Sequence, residues 1–251
     1  MFTFPTGLFV PSQSGDPFWA NVVFLQNFQG TNGSKPATDQ SQYAHVLTWN
    51  GDAVISTAQS PFAGGSSAYF DGNGDSVSIA SNPFATVSGD LTIEAFCYCA
   101  GANTDYYAGQ LYSPNSHILF ARNGSNVNNF YFQSLWVNSS SRFLAFNDEN
   151  GGANGSLSTP NNSFPLNTFV HVAFTSVGGV WRLFISGQKL AEATRGNPGV
   201  SPTSYYSVGR NPSGTAYSYA LNGYLAGLRI SRFARYTSNF TPPTAPFPTG
   251  P

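Results

Sequence analysis

The chain has 251 residues, 41% hydrophobic and 16% aromatic, enough to bury a core and too apolar for general disorder. Only 8% are charged, against about 25% in an ordinary soluble domain, and ten Lys and Arg against eleven Asp and Glu leave a net charge of −1. Too few cations remain to replace the counterions of nucleic acid, and no run approaches the roughly 18 apolar residues of a membrane helix, so neither partner is expected.

Residues 1–19 set Phe2, Phe4, Leu8, Phe9 and Phe18 among Pro, Gly and Ser. That is too apolar for a free linker and too broken for a helix. We expect an extended N-terminal arm over 1–19, with Phe2, Phe4 and Phe9 as apolar anchors in an interface. The start lacks the cationic region of a signal peptide, so synthesis and assembly in a cytosol are expected.

Short strand signals then recur between turns. The first is Asn21–Phe28. Ala68–Phe70 and Ser76–Ala80 flank Asp71-Gly-Asn-Gly-Asp75. In Leu91–Cys99 one face carries Leu91, Ile93, Ala95, Cys97 and Cys99, and the other Thr92, Glu94, Phe96 and Tyr98. His117–Ala121 and Phe130–Val137 follow. Phe169–Val177 and Val180–Ile185 enclose Gly178-Gly179, a hairpin signal because a type I′ turn needs positive φ twice. A second turn at Ser186-Gly187 leads into Lys189–Ala191, and Leu221–Ser231 closes the set. Numerous short strands without βαβ alternation predict an all-β sandwich of two antiparallel sheets over 20–240. The Pro-rich end, 241–251, reads as an extended C-terminal strap.

The order of segments resembles the laminin-G-like, concanavalin A-like jelly-roll domains of bacteriophage virion proteins. The resemblance rests on Ser67–Asp75, Asp90–Phe96, Phe169–Ala173, Trp181–Gly187 and Asn222–Ile230. It runs on through Ala234–Phe247, the part most similar to the phage versions. The chain departs from the pattern where an acidic pair is usual, having Ala226 and Gly227, and at the hairpin, having Ser186-Gly187 in place of Asp-Gly. Relatives often bind Ca²⁺ through carboxylates. Here Asp71 and Asp75 are the candidates that remain, and the segment is expected to be a turn in which Asp and Asn bond their own backbone. No cofactor is expected.

The fold also includes glucanases, and glycoside hydrolysis needs two carboxylates about 5–10 Å apart. The glutamates are Glu94, Glu149 and Glu192, in three separate segments, and Glu94 has no acid at i±2. The resemblance implies that Glu94 belongs to the scaffold. Asp148-Glu149 reads as a loop. No catalytic residue is expected. Cys97 and Cys99 read as small buried hydrophobes, about 6.5–7 Å apart at Cα and at the limit of disulfide geometry. His45, His117 and His171 read as hydrogen-bonded strand residues, not metal ligands.

Tyr106, Tyr107, Tyr217 and Tyr219 lie in loop-like segments and are candidates for stacking a glycan or anchoring a protein interface. Arg229 is expected to form an ion pair at the edge of the core. Arg232 and Arg235 are candidates for pairing with an acid on another subunit. A surface with little charge favours association, so a homo-oligomer is expected, and the resemblance implies a trimer. The whole reads as a non-enzymatic virion component, in head decoration or a tail fibre, partnered by other virion proteins. The alternative is a carbohydrate-binding module for host-surface glycans.

Overall fold

A computed structural model describes residues 15–100, 106–107, 110–111, 116–122, 130–138, 141–148, 155–199, 205–210 and 220–251. Among these, one 3-10 turn (Trp19–Asn21) precedes seventeen strands. In the larger sheet the order is β15 (Gln188–Thr194), β14 (Val180–Ile185), β13 (Phe169–Val177), β6 (Leu91–Cys99), β17 (Asn222–Ser231), β4 (Ser67–Asp71) and β3 (Val54–Ser56). β1 (Val22–Gln26) pairs with the second half of β17, beyond β4. The facing sheet runs β12 (Gly155–Ser158), β11 (Ser141–Asp148), β10 (Phe130–Asn138), β9 (Ser116–Arg122), β16 (Tyr205–Val208), β5 (Ser76–Ile79) and β2 (Leu47–Asn50). β7 (Tyr106–Tyr107) and β8 (Gln110–Leu111) form a separate pair. The named strand pairs are antiparallel, and the architecture is the predicted sandwich.

The alternation read in Leu91–Cys99 sets the packing. Leu91, Ile93, Ala95, Cys97 and Cys99 enter the core between the sheets. Across that gap Phe146 of β11 stacks on Phe174 of β13 with centroids 3.7 Å apart, and Trp181 of β14 meets both edge-on. The Trp181 indole N–H donates to Gly196 O at 2.8 Å, so its one polar atom is satisfied. Both thiols are free and buried, with Sγ atoms 3.5 Å apart. The hydrogen bond to Cys99, with burial, pushes the Cys97 thiol well above the ordinary range.

Both predicted turns close tight hairpins. Gly178 and Gly179 take φ of 56° and 76° between the paired Val177 and Val180. Ser186 and Gly187 take 49° and 77° between β14 and β15. Seven strands went unpredicted: β2, β3, β7, β8, β11, β12 and β16, and Tyr106 and Tyr107, read as loop-like, form β7. Asp148 is not in a loop. It ends β11, is buried, and accepts the Gly199 N–H at 2.7 Å. No helix among the described residues is long and apolar enough to cross a membrane.

Candidate functional site on the outer face of the large sheet

A sandwich of this kind ordinarily leaves the outer face of each sheet to solvent, yet β6 is buried on both faces except at Tyr98. The cause is the chain beyond β17. Residues 232–251 contain no helix or strand and cross the outer face of β6 and β13 to the β14–β15 turn. Thr92 Oγ1 donates to Phe233 O, Thr175 Oγ1 donates to Tyr236 O, and Phe240 N–H donates to Gly187 O. The chain then returns to β1, where the Asn27 side chain grips the Phe247 backbone in both directions, at 2.8 and 3.0 Å. Gly250 O finally accepts the Asp16 N–H at 2.7 Å. Phe247 joins Val22, Leu25, Phe62, Phe96 and Ala226 in a second apolar cluster outside the main core. Ala226 and Gly227, which stand where the resemblance leads one to expect acids, lie under this ring.

Beneath the segment sits a closed charge cluster. Glu94 on β6 and Arg229 on β17 are cross-strand partners, and the Arg229 Nε and Nη2 donate to Glu94 Oε1 at 2.9 and 2.8 Å. Arg229 Nη1 also reaches Asp16 at 2.9 Å. On the other carboxylate oxygen, Glu94 accepts from His171 Nε2 at 3.0 Å and from Tyr236 OH at 2.9 Å. Arg235 closes the ring on Asp16 at 2.7 Å. The Glu94 side chain has zero exposure. Burial alone would raise its carboxyl, but the Arg229 charge, the His171 hydrogen bond and Arg235 overcome this and hold it at about 2. Burial and the Glu94 charge push the Tyr236 phenol far above its ordinary range.

A depressed carboxyl contributes stability above its unfolded value of 4.5 and loses it as pH falls toward about 2. Thermal unfolding should therefore shift to lower temperature through that window, and Glu94→Gln should flatten the slope. Equal slopes in the two proteins would contradict the assignment. Asp75 works in the opposite sense, because burial raises its carboxyl despite backbone N–H donors.

Beyond Phe96 the outer face carries a part-exposed aromatic row, whose Phe169 end packs against the second apolar cluster. Tyr69 of β4, Tyr224 of β17, Tyr98 of β6 and Phe169 of β13 are mutual register partners and form one row across four strands. Successive centroids are 5.1, 5.5 and 5.4 Å apart. All four rings are part-exposed. One step nearer the loops, Asp71 pairs with Asn222 on the same face. Burial and the neighbouring Tyr69 and Tyr98 raise the Tyr224 phenol. The sequence showed Tyr98 on this face of β6, but that the four rings align depends on register between strands far apart in sequence.

The other sequence-predicted residues fall as follows. Tyr106 and Tyr107 form β7, and their side chains lie outside the described residues, as do Tyr217, Tyr219, Phe2, Phe4 and Phe9. Asp71 and Asp75 make a turn. Asp75 Oδ1 accepts N–H from Asp52 and Ala53, Oδ2 accepts from Asp71, and Asp71 Oδ1 accepts from Asn73. No group of three or more metal-capable residues occurs among the described residues. Arg235, proposed for another subunit, finds its acid in its own chain, because the N-terminal approach to β1 brings Asp16 over it. Arg232 bonds Ala20 O at 3.0 Å from a part-exposed position. Arg229 makes its expected ion pair. His45 is not a strand residue, but its ring bonds Ser81 Oγ and Val23 O.

A family model described as "Concanavalin A-like lectin/glucanases superfamily" matches residues 70–238. Several solved structures are similar in fold at low identity. Domain 4 of AbnA, a GH43 extracellular arabinanase from Geobacillus stearothermophilus, solved in complex with arabinotriose, superposes with a TM-score of 0.55. It is 13% identical, over 85% of this chain and 93% of that one. The binding domain of botulinum neurotoxin serotype D/C gives 0.59 at 13% identity, over 87% of this chain and 50% of that one. A botulinum neurotoxin type C structure, titled for cell entry dependent on two ganglioside molecules, gives 0.59 at 13% identity, over 87% and 49%. No curated protein matches the sequence.

Proposed function

The chain belongs to the concanavalin A-like lectin/glucanases superfamily, and from that premise we propose that it is a non-catalytic, lectin-type module that binds carbohydrate and is carried on a bacteriophage virion. One observation carries the non-catalytic part. Glu94, the acid best placed by strand position for hydrolysis, is sealed at zero exposure and held by Arg229, His171 and Tyr236. A carboxylate held at about 2 cannot serve as a general acid at neutral pH, and a sealed one cannot reach a glycosidic bond. Carbohydrate as the ligand class is supported by the arabinotriose complex of the arabinanase domain and by the ganglioside dependence of the neurotoxin. The virion setting is supported by the resemblance of Ala234–Phe247 to phage proteins. There it would be assembled in the host bacterial cytoplasm as a homo-oligomer attached to other virion proteins, in head decoration or a tail fibre. The low charge of the chain favours such assembly.

On a glycan array the intact protein is expected to bind a subset of sugars and to release no reducing ends from the corresponding polysaccharides. Turnover that disappears in Glu94→Gln would overturn the non-catalytic reading. Antibody to the chain should decorate purified phage particles in electron micrographs, and unlabelled particles would remove the virion setting.

A further inference from the structure

We propose that the aromatic row Tyr69–Tyr224–Tyr98–Phe169 is a binding site for a neutral saccharide chain, laid across the strands with hydroxyls toward Asp71. This rests on the lectin-type reading and locates and defines its ligand. The rings are part-exposed on the outer face, in register on β4, β17, β6 and β13. Four adjacent strands span about 14 Å, room for more than one sugar ring. Sugar C–H faces stack on such rings, and no hydrogen bond engages the hydroxyls of Tyr69, Tyr98 or Tyr224 among the described residues.

The width of the row selects a chain-like ligand over a protein face. Along the strands it is one residue deep. On one side Phe96 is buried under Phe62 and Phe247. On the other lie Asp71 and Asn222. A stable protein interface needs about 800 Å² per partner, far more than this strip offers. The charge selects the class of sugar. Among the described residues the row carries no cation and the acid in register beside it is Asp71, whose Oδ2 accepts no hydrogen bond from them and can take a hydroxyl while disfavouring a carboxylate. Sialylated and uronic-acid glycans are therefore disfavoured.

The probe is a printed array of neutral and sialylated glycans, read with the intact chain and followed by titration of the best neutral glycan. Tyr98→Ala and Tyr224→Ala should each weaken binding about tenfold, while Tyr98→Phe keeps the stacking face and most of the affinity. Because a truncation in a sheet face can perturb folding, the unmodified chain with ¹³C-labelled tyrosine rings supplies an independent reading. The signals of Tyr69, Tyr98 and Tyr224, assigned by single Phe replacements, should shift on titration. Binding that survives both alanine variants, with those rings unmoved, would overturn the row while leaving the lectin-type reading intact. Preference for sialylated glycans would overturn the neutral class. No binding to any glycan would overturn both the row and the carbohydrate-binding reading.

Discussion

Arg229→Met is expected to destabilise the protein by about 3–5 kcal/mol, among the largest losses for a single replacement here. The guanidinium spans both acids of the cluster, touching Glu94 at 2.8 Å and Asp16 at 2.9 Å. Neither acid is more than 2% exposed. Two arginines oppose two carboxylates there. Removing one leaves a buried negative charge with only hydrogen bonds and Arg235 to offset it. Methionine keeps the length of the stem, so little of the loss comes from packing. The double variant Arg229→Met/Glu94→Gln should recover part of it, since the stranded charge is then gone. Urea unfolding measures all three proteins. A loss under about 1 kcal/mol for the single variant would mean that the cluster is solvated in solution.

Phe247→Ala should cost about 3–5 kcal/mol and expose the C-terminal segment first. The ring is 2% exposed, lies 5.5 Å from Phe96, and sits under the Arg229 guanidinium at 4.2 Å. Its loss would admit water to the cluster as well as open a cavity. Phe247→Leu should cost much less. Limited proteolysis should cut the alanine variant within 241–251 before the sandwich unfolds. Cleavage there at the parent rate, with unchanged stability, would show that the segment does not depend on this anchor.

The two predictions concern the part of the molecule least legible beforehand. Leu91–Cys99 reads correctly because alternation has a period of two and the core face is apolar. The Gly178-Gly179 turn reads because its φ values demand glycine. By contrast, β3 is three residues and β16 four, each held by neighbours distant in sequence. Such strands carry too few residues for a periodicity to stand out. Arg235 illustrates the same difficulty for charges. Three arginines spaced by three give no hint that one meets Asp16, 219 residues away.

The amino-acid sequence by itself determined the all-β class, the scarcity of charge, the hairpins, and the two faces of β6. These follow from local rules: side-chain period, turn conformation and composition. Only the tertiary structure decided that the C-terminal residues seal the outer face over Glu94, and that Tyr69, Tyr98, Tyr224 and Phe169 align beside that seal. Both outcomes depend on strand register and on which end of the chain lies over which sheet. Non-local pairing fixes these, and no window of neighbouring residues encodes them.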